Sequence, residues 1–189
     1  MLSAAFHCLY RTAVQNRFAA VTVAFALGLA VLGCGGSLPA SKAHPLLDKA
    51  PDAIEQITLE GEMVKFPQKG KVTVLDFWST NCKPCVKMMP ELQALYAERK
   101  AAGLSMVGVA IDDNPGLVTE RLKKMGVTYV NVLDDSGSTI RGAYQVADLP
   151  QTFIFDRKGQ LRVVTQGGDE KEVAVIRDAV DYLLSEETQ

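Results

Sequence analysis

The chain has 189 residues, a length that fits one ordinary domain and a short additional segment. Its 20 Lys and Arg side chains are balanced by 22 Asp and Glu, which gives a formal net charge of -2 at pH 7. Because nucleic-acid binding needs a basic excess to neutralise phosphates, this composition argues against a nucleic-acid partner.

The N-terminal segment differs in kind from the rest of the chain. Residues 1–17 contain two arginines and no acid, and residues 18–32 are uncharged and apolar. A basic lead, a short apolar run and then small residues are typical of a secretion signal. The run is also shorter than the roughly 20 residues of a comfortable membrane span.

The end of this segment offers two modes of membrane attachment. Val31-Leu32-Gly33-Cys34 resembles a bacterial lipobox, in which the cysteine is lipidated and becomes the new N-terminus. The alternative is an uncleaved signal anchor, and both place the domain outside the cytoplasm. We predict a lipoprotein-type signal peptide over residues 1–33, a lipid anchor and polar tether over 34–49, and one folded domain over 50–189.

Strand and helix patterns alternate through that domain. Residues 71–77 form a near-continuous apolar run, which is typical of a strand buried on both faces. Asn114, Pro115 and Gly126 supply the start and stop signals of a helix whose predicted apolar face is Leu117, Val118, Leu122 and Met125. The predicted strands are 54–59, 63–66, 71–77, 104–111, 127–133, 151–155 and 160–165. The predicted helices begin at residues 85, 114, 138 and 169. This order predicts a three-layer α/β domain with a mixed sheet.

The cysteines point to chemistry rather than to structural disulfides. Of the four, only Cys82 and Cys85 lie in the predicted domain, where a buried strand passes into a helix. The unpaired amides and positive dipole at a helix start stabilise a thiolate, which predicts a lowered pKa for Cys82. Cys85, one turn inward, is then placed to resolve a mixed disulfide. A structural zinc site would need about four ligands, but His7 and His44 lie in the signal and the tether.

The segment around the cysteines has a clear resemblance. Val74 to Cys85 resembles the active-site segment of thioredoxin, and Trp78 to Cys85, WSTNCKPC, is similar to that of the TlpA/ResA-like membrane-anchored thioredoxins. Pro90 matches the helix-kinking proline of thioredoxins. The resemblance extends from about Leu46 to the C-terminus. It implies a thioredoxin-like three-layer fold with a mixed central sheet, in which residues 114–133 are that family's central helix–strand insertion.

The resemblance also assigns the site residues. It implies a redox-active disulfide between Cys82 and Cys85, a buried acid at Asp76 that accepts a proton from the second cysteine, and a cis proline at Pro150 that docks substrate beside the sulfurs. Gly108 occupies the strand position of thioredoxin's lysine partner to that acid. The active-site loop residues are Trp78, Asn81, Lys83 and Pro84. We interpret Asp112 and Asp113 as helix caps and solvated charges rather than as a metal pair, and we expect neither a metal nor a cofactor.

The predicted function is therefore extracytoplasmic dithiol exchange. The resemblance implies a reductase for disulfide-containing secreted or periplasmic proteins, with apocytochrome c as one family substrate, that is kept reduced by a membrane thiol donor of the DsbD or CcdA kind. Three alternatives stay open: a thiol oxidant, which differs only in redox poise; a metal-binding protein such as a Sco-like copper carrier; and a peroxiredoxin. The last two lack their expected cysteine spacing or partner residues in this sequence.

Overall fold

The computed structural model describes residues 37–134 and 139–186. The predicted signal segment and Cys34 lie outside the described residues, and so does residue 138, where the third helix is predicted to begin. Within the described residues, no helix combines the length and the apolar character needed to cross a membrane.

A five-stranded mixed sheet lies at the centre of the domain, with strand order β5-β4-β3-β6-β7. β3, β4 and β5 are parallel, whereas β6 runs antiparallel to both β3 and β7, which confirms the predicted mixed sheet. β1 and β2 form a separate antiparallel hairpin. The strands are β1 Ile54–Ile57, β2 Met63–Phe66, β3 Val72–Trp78, β4 Leu104–Ala110, β5 Val130–Leu133, β6 Gln151–Phe155 and β7 Leu161–Gln166. The helices are α1 Lys83–Arg99, α2 Pro115–Met125, α3 Thr139–Ala143 and α4 Glu170–Ser185.

Two apolar cores cover opposite faces of the sheet, because successive side chains of a strand point to opposite sides. Val72 and Val74 of β3 pack in one core with residues of α1 and α4. Leu75 and Phe77 pack in the other core, which includes Ile140 of α3. All seven residues of β3 are buried, as its apolar run predicts for a strand covered on both faces. The fold is therefore the expected three-layer α/β domain of thioredoxin type.

Helix α1 begins two residues earlier than its apolar periodicity predicts. Cys82 is its N-cap residue and Lys83 its first helical residue. The helix ends at Arg99 and continues as one 3₁₀ turn to Gly103, which adopts a φ of 105° that favours glycine. The cysteine pair thus belongs to the first turn of α1 and not to a loop before it.

The predicted apolar face of α2 is wrong at Leu117. Asn114 caps the helix and Gly126 ends it in a left-handed conformation, both as predicted. Val118 and Leu122 are buried, but Leu117 is 53% exposed. Adjacent helical residues point about 100° apart, so Leu117 cannot share the direction of Val118. An exposed leucine therefore lies on the outer side of this helix.

Within the stretch predicted to be a polar tether, residues 41–49 are hydrogen-bonded to the domain. The Lys42 amide donates to the Val164 carbonyl, and the Asp48 amide donates to the Leu161 carbonyl. Leu46 and Leu47 pack against the core on the α3 side of the sheet. The physical reason is that β7 is an edge strand whose unpaired backbone groups bind an adjacent extended segment.

Candidate active site

The two cysteines occupy the first turn of α1 and are joined by a disulfide with a Cα–Cα distance of 5.3 Å. The Cys85 amide donates to the Cys82 sulfur at 3.3 Å, and the Cys85 side chain is fully buried. Cys82 is half-buried, and no acidic residue lies in this first turn. The accessible sulfur is therefore the one that faces the unpaired amides of the helix start, where a thiolate is stabilised.

Asp112, in the connection that follows strand β4, holds the loop before Cys82 in place. Thr80 donates its amide to one Asp112 oxygen at 2.9 Å and its hydroxyl to the other at 2.7 Å. Asp112 follows β4, the parallel neighbour of β3, so the two connections leave the sheet at the same edge. This role of Asp112 was not predicted from the sequence. One signal could have revealed it: Thr80 and Asp112 each follow a buried strand, and the carboxyl ends of parallel strands meet at one edge of a sheet.

Trp78 anchors the start of the same loop from inside the protein. Its side chain is fully buried, and its indole nitrogen donates to Asn131 Oδ1 at 3.1 Å. A Cβ at Gly108 would collide with the Asn131 side chain and approach the indole nitrogen to 3.2 Å. A glycine at position 108 is therefore required for the Trp78–Asn131 hydrogen bond.

Asp76 is a fully buried carboxyl on β3. Its neighbour on β4 is Gly108, so no lysine faces it from that strand position. Thr152 donates a hydroxyl to Asp76 Oδ1 at 3.0 Å, whereas Oδ2 has no hydrogen-bond partner in the described part of the chain. Burial raises the pKa of Asp76 from 3.8 to about 7, and the Thr152 hydrogen bond acts in the opposite direction.

The carboxyl belongs to a polar row that crosses the whole sheet. Strand register places one residue of each strand in this row: Asn131, Gly108, Asp76, Thr152 and Thr165. Because side chains two positions apart in a strand point to the same face, Asp76 shares the sheet face of Val72 and Val74, which α1 and α4 cover. Tyr129 lies near enough that its pKa is raised first by burial and then by the negative charge of Asp76. A buried acid thus lies among neutral hydroxyl and amide groups, where it gains and loses a proton near neutral pH.

Two chain segments flank the cysteine turn. The Leu149–Pro150 bond is cis, as the resemblance predicts, and Pro150 is buried. Leu149 packs against the apolar cluster that contains Cys85 and Trp78. On another side, a Cβ at Gly168 would lie 2.6 Å from the Pro84 carbonyl oxygen, so the backbone after β7 lies directly against the turn. Neither the contact of Gly168 with the turn nor the second cis bond, Phe66–Pro67, was predicted from the sequence.

The structure thus brings together most of the residues that the sequence analysis proposed for the site. Asn81, Lys83 and Pro84 are exposed around Cys82. Trp78 packs in one apolar cluster with Cys85, and Asp76 is fully buried on β3. A thioredoxin-like fold with an accessible and a buried cysteine in one helical turn defines a dithiol–disulfide exchange protein.

Known proteins of this class are similar to the chain. The profile of the AhpC/TSA family matches residues 46–164, more than half of the sequence, and the chain belongs to that family. Sporulation thiol-disulfide oxidoreductase A of Bacillus subtilis (strain 168) is 29% identical over 125 residues, which cover 65% of this chain and 75% of the relative. Thiol-disulfide oxidoreductase ResA of Bacillus anthracis is 34% identical over 115 residues, which cover 60% of this chain and 66% of the relative.

Solved structures agree with these relatives. The crystal structure of StoA from Bacillus subtilis superposes with a TM-score of 0.59 at 28% sequence identity, covering 67% of this chain and 96% of that one. The predicted ResA-like resemblance is confirmed, and the chain is a thiol-disulfide oxidoreductase of thioredoxin-like fold.

Proposed function

We propose that the protein reduces disulfides in extracytoplasmic proteins, with Cys82 as the attacking and Cys85 as the resolving cysteine. The observation that carries this division is the difference in exposure, because Cys82 is half-buried and Cys85 is fully buried within one helical turn. A protein disulfide can approach the sulfur of the half-buried Cys82 but not that of the fully buried Cys85.

In the first step the Cys82 thiolate attacks one sulfur of the substrate disulfide. A mixed disulfide forms, and the other substrate sulfur leaves as a thiolate that takes a proton from water. In the second step Cys85 gives its proton to Asp76, and its thiolate attacks the Cys82 sulfur. The second substrate sulfur leaves as a thiolate that takes a proton from water, so the substrate becomes a dithiol that has gained two electrons, and the Cys82–Cys85 disulfide is formed.

Asp76 suits the role of proton acceptor because of its environment. A carboxyl with a pKa of about 7 is charged and neutral in comparable amounts near neutral pH, which is the condition for both taking and returning a proton. Its position on the sheet face covered by α1 is compatible with exchange of protons with the buried cysteine. The Pro150 segment is proposed to dock the substrate chain, supported by the packing of Leu149 on the cluster that contains Cys85.

Trapping of substrates tests the assignment of the cysteines. After exposure to oxidised proteins, Cys85→Ser should accumulate mixed disulfides through Cys82, whereas Cys82→Ser should accumulate none. Mass spectrometry of the adducts identifies the linked cysteine. Adducts formed by Cys82→Ser alone would reverse the two roles.

The direction of electron flow has its own test, the reduction potential of the pair in a thiol redox buffer. A reduction potential of about -270 mV agrees with a reductase, whereas a potential of about -120 mV would identify an oxidant. A reductase also needs an electron source, and we propose a membrane thiol donor of the DsbD or CcdA kind.

We further propose that residues 1–33 are a signal peptide and that Cys34 is lipidated, which would tether the domain to a membrane outside the cytoplasm. The basic lead, the short apolar run and the Gly33-Cys34 pair support this. Cells fed a labelled fatty acid should label the wild type but not Cys34→Ser. An unlabelled wild type that retains residues 1–33 would favour the signal-anchor alternative.

A further inference from the structure

A groove adjoins Cys82 between the active-site loop and helix α2. It consists of two neighbouring cavities of about 270 and 500 Å³, both lined by Thr80, Asn81 and Arg121. Lys83, the residue next to Cys82, lines the larger cavity, and the exposed Leu117 lines the smaller one.

The walls of this groove are basic. Four cations line it, Lys83 and Lys87 from α1 and Arg121 and Lys124 from α2, against a single acid, Glu120. Within residues 37–134 and 139–186, none of the four has a carboxylate within 4.0 Å. Asp112, the nearby acid after β4, is engaged by Thr80. The chain as a whole carries a formal charge of -2, so this local positive charge opposes the average.

A second lysine-lined cavity provides a comparison. It measures about 580 Å³, includes Lys65, Lys69 and Lys158, and is bordered by the β1–β2 hairpin and the β6–β7 turn. No residue of the active-site loop lines it, and its Lys65 already pairs with Glu55 at 2.9 Å. Lys69 and Lys158 of this cavity also have no carboxylate within 4.0 Å in the described part of the chain. The groove differs from it in that its cations lie beside the active-site loop.

We propose that this groove, here called the basic groove, docks an acidic segment of the protein substrate close to the substrate's disulfide. The inference rests on the proposed disulfide-reductase function and names the chemistry of its substrate. Unpaired cations beside the attacking sulfur attract an acidic chain and raise its local concentration, and this attraction falls as salt screens the charges. Leu117, Val86 and Met125, which line the same groove, supply apolar contact for side chains between the acids.

The test compares two disulfide peptides that differ only in a flanking segment, Glu-rich in one and Gln-rich in the other. The wild-type chain should reduce the Glu-rich peptide with about tenfold higher kcat/KM at low salt, a size expected from two or three exposed ion pairs. Arg121→Ser/Lys124→Ser should abolish most of this ratio, and Glu120→Gln should increase it. The matched control, Lys69→Ser/Lys158→Ser, removes the same charge elsewhere and should leave the ratio unchanged.

Two further measurements separate this inference from the function on which it rests. Reduction of bis(2-hydroxyethyl) disulfide, which is small and neutral, reports dithiol chemistry alone, so its absence in the wild type would refute the reductase. Binding of the Glu-rich peptide to Cys82→Ser/Cys85→Ser, followed by fluorescence anisotropy, reports the groove alone. The inference is overturned if both peptides bind and react equally, or if the control variant loses the ratio too. It is equally overturned if Arg121 and Lys124 are needed only for binding phosphatidylglycerol vesicles.

Discussion

Replacing Asp76 by asparagine should stabilise the folded protein at alkaline pH. Burial raises the pKa of Asp76 from 3.8 to about 7, so the folded protein binds this proton more tightly than the unfolded chain does. The contribution of this carboxyl to stability is then fully present below pH 3.8 and is lost as pH rises through about 7. Since one pKa unit corresponds to about 1.4 kcal/mol, the ionised carboxyl costs the folded state about 4 kcal/mol above pH 7.

Asparagine removes that cost but introduces another. Its amide would place an N–H donor where Oδ2 has no partner in the described part of the chain, at a cost of about 1–3 kcal/mol. We therefore expect Asp76→Asn to exceed the wild type by about 1–3 kcal/mol in unfolding free energy at pH 8. The wild type should lose about 3 kcal/mol between pH 5 and pH 8 through this carboxyl, and the variant should not.

Urea unfolding of both oxidised proteins at pH 5, 6.5 and 8 measures these differences. Asp113→Asn, which neutralises an exposed acid, is the matched control and should follow the wild type. The reasoning is refuted if Asp76→Asn is less stable than the wild type at pH 8, or if the two proteins show the same pH dependence.

The other predictions concern the groups around this carboxyl and the loop. Thr152→Val removes the hydrogen bond that lowers the carboxyl's pKa, so the midpoint of the stability-versus-pH curve should move to higher pH; an unmoved midpoint would contradict this. Gly108→Ala should destabilise the fold by about 1–3 kcal/mol through its clash with Asn131, and adding Asn131→Ala should recover part of the loss in a double-mutant cycle. Asp112→Ala should cost about 1–2 kcal/mol and slow thiol exchange by freeing Thr80; unchanged exchange kinetics would mean that the loop keeps its shape without this bond.

Local patterns allowed much of the fold and the reactive pair to be predicted. Three of these features depend on only a few consecutive residues each: the apolar run of β3, the helix cap at Asn114 and the helix end at Gly126. The structure contains all three. Cys82 and Cys85 could be placed at a helix start for the same reason. The error at Leu117 arose because an apolar residue next to a buried one was assigned to the same face.

The parts that escaped prediction depend on contacts between distant segments. Thr80 and Asp112 are 32 positions apart, and Asp76 and Thr152 are 76 apart. No periodicity within one strand reveals which residue of another strand lies beside it, since register is fixed only when the sheet assembles. The attachment of residues 41–49 to β7 escaped for the same reason, because a polar, proline-containing stretch looks like a linker until an edge strand is known to lie beside it.

The buried carboxyl in the polar row favours a chemical role for Asp76 over a stabilising one. An apolar side chain at position 76 would remove a cost of about 4 kcal/mol above pH 7, and it would continue the apolar sequence of Val72 and Val74 on the same face. The chain instead holds an acid there, with one hydroxyl donor at Thr152 and no cation at Gly108. A lysine partner would lower the pKa and fix the charge, whereas neutral partners leave it near 7. Because strongly perturbed carboxyls concentrate where protons are transferred, this costly arrangement supports the proposed role of Asp76 as proton acceptor and is not explained by stability.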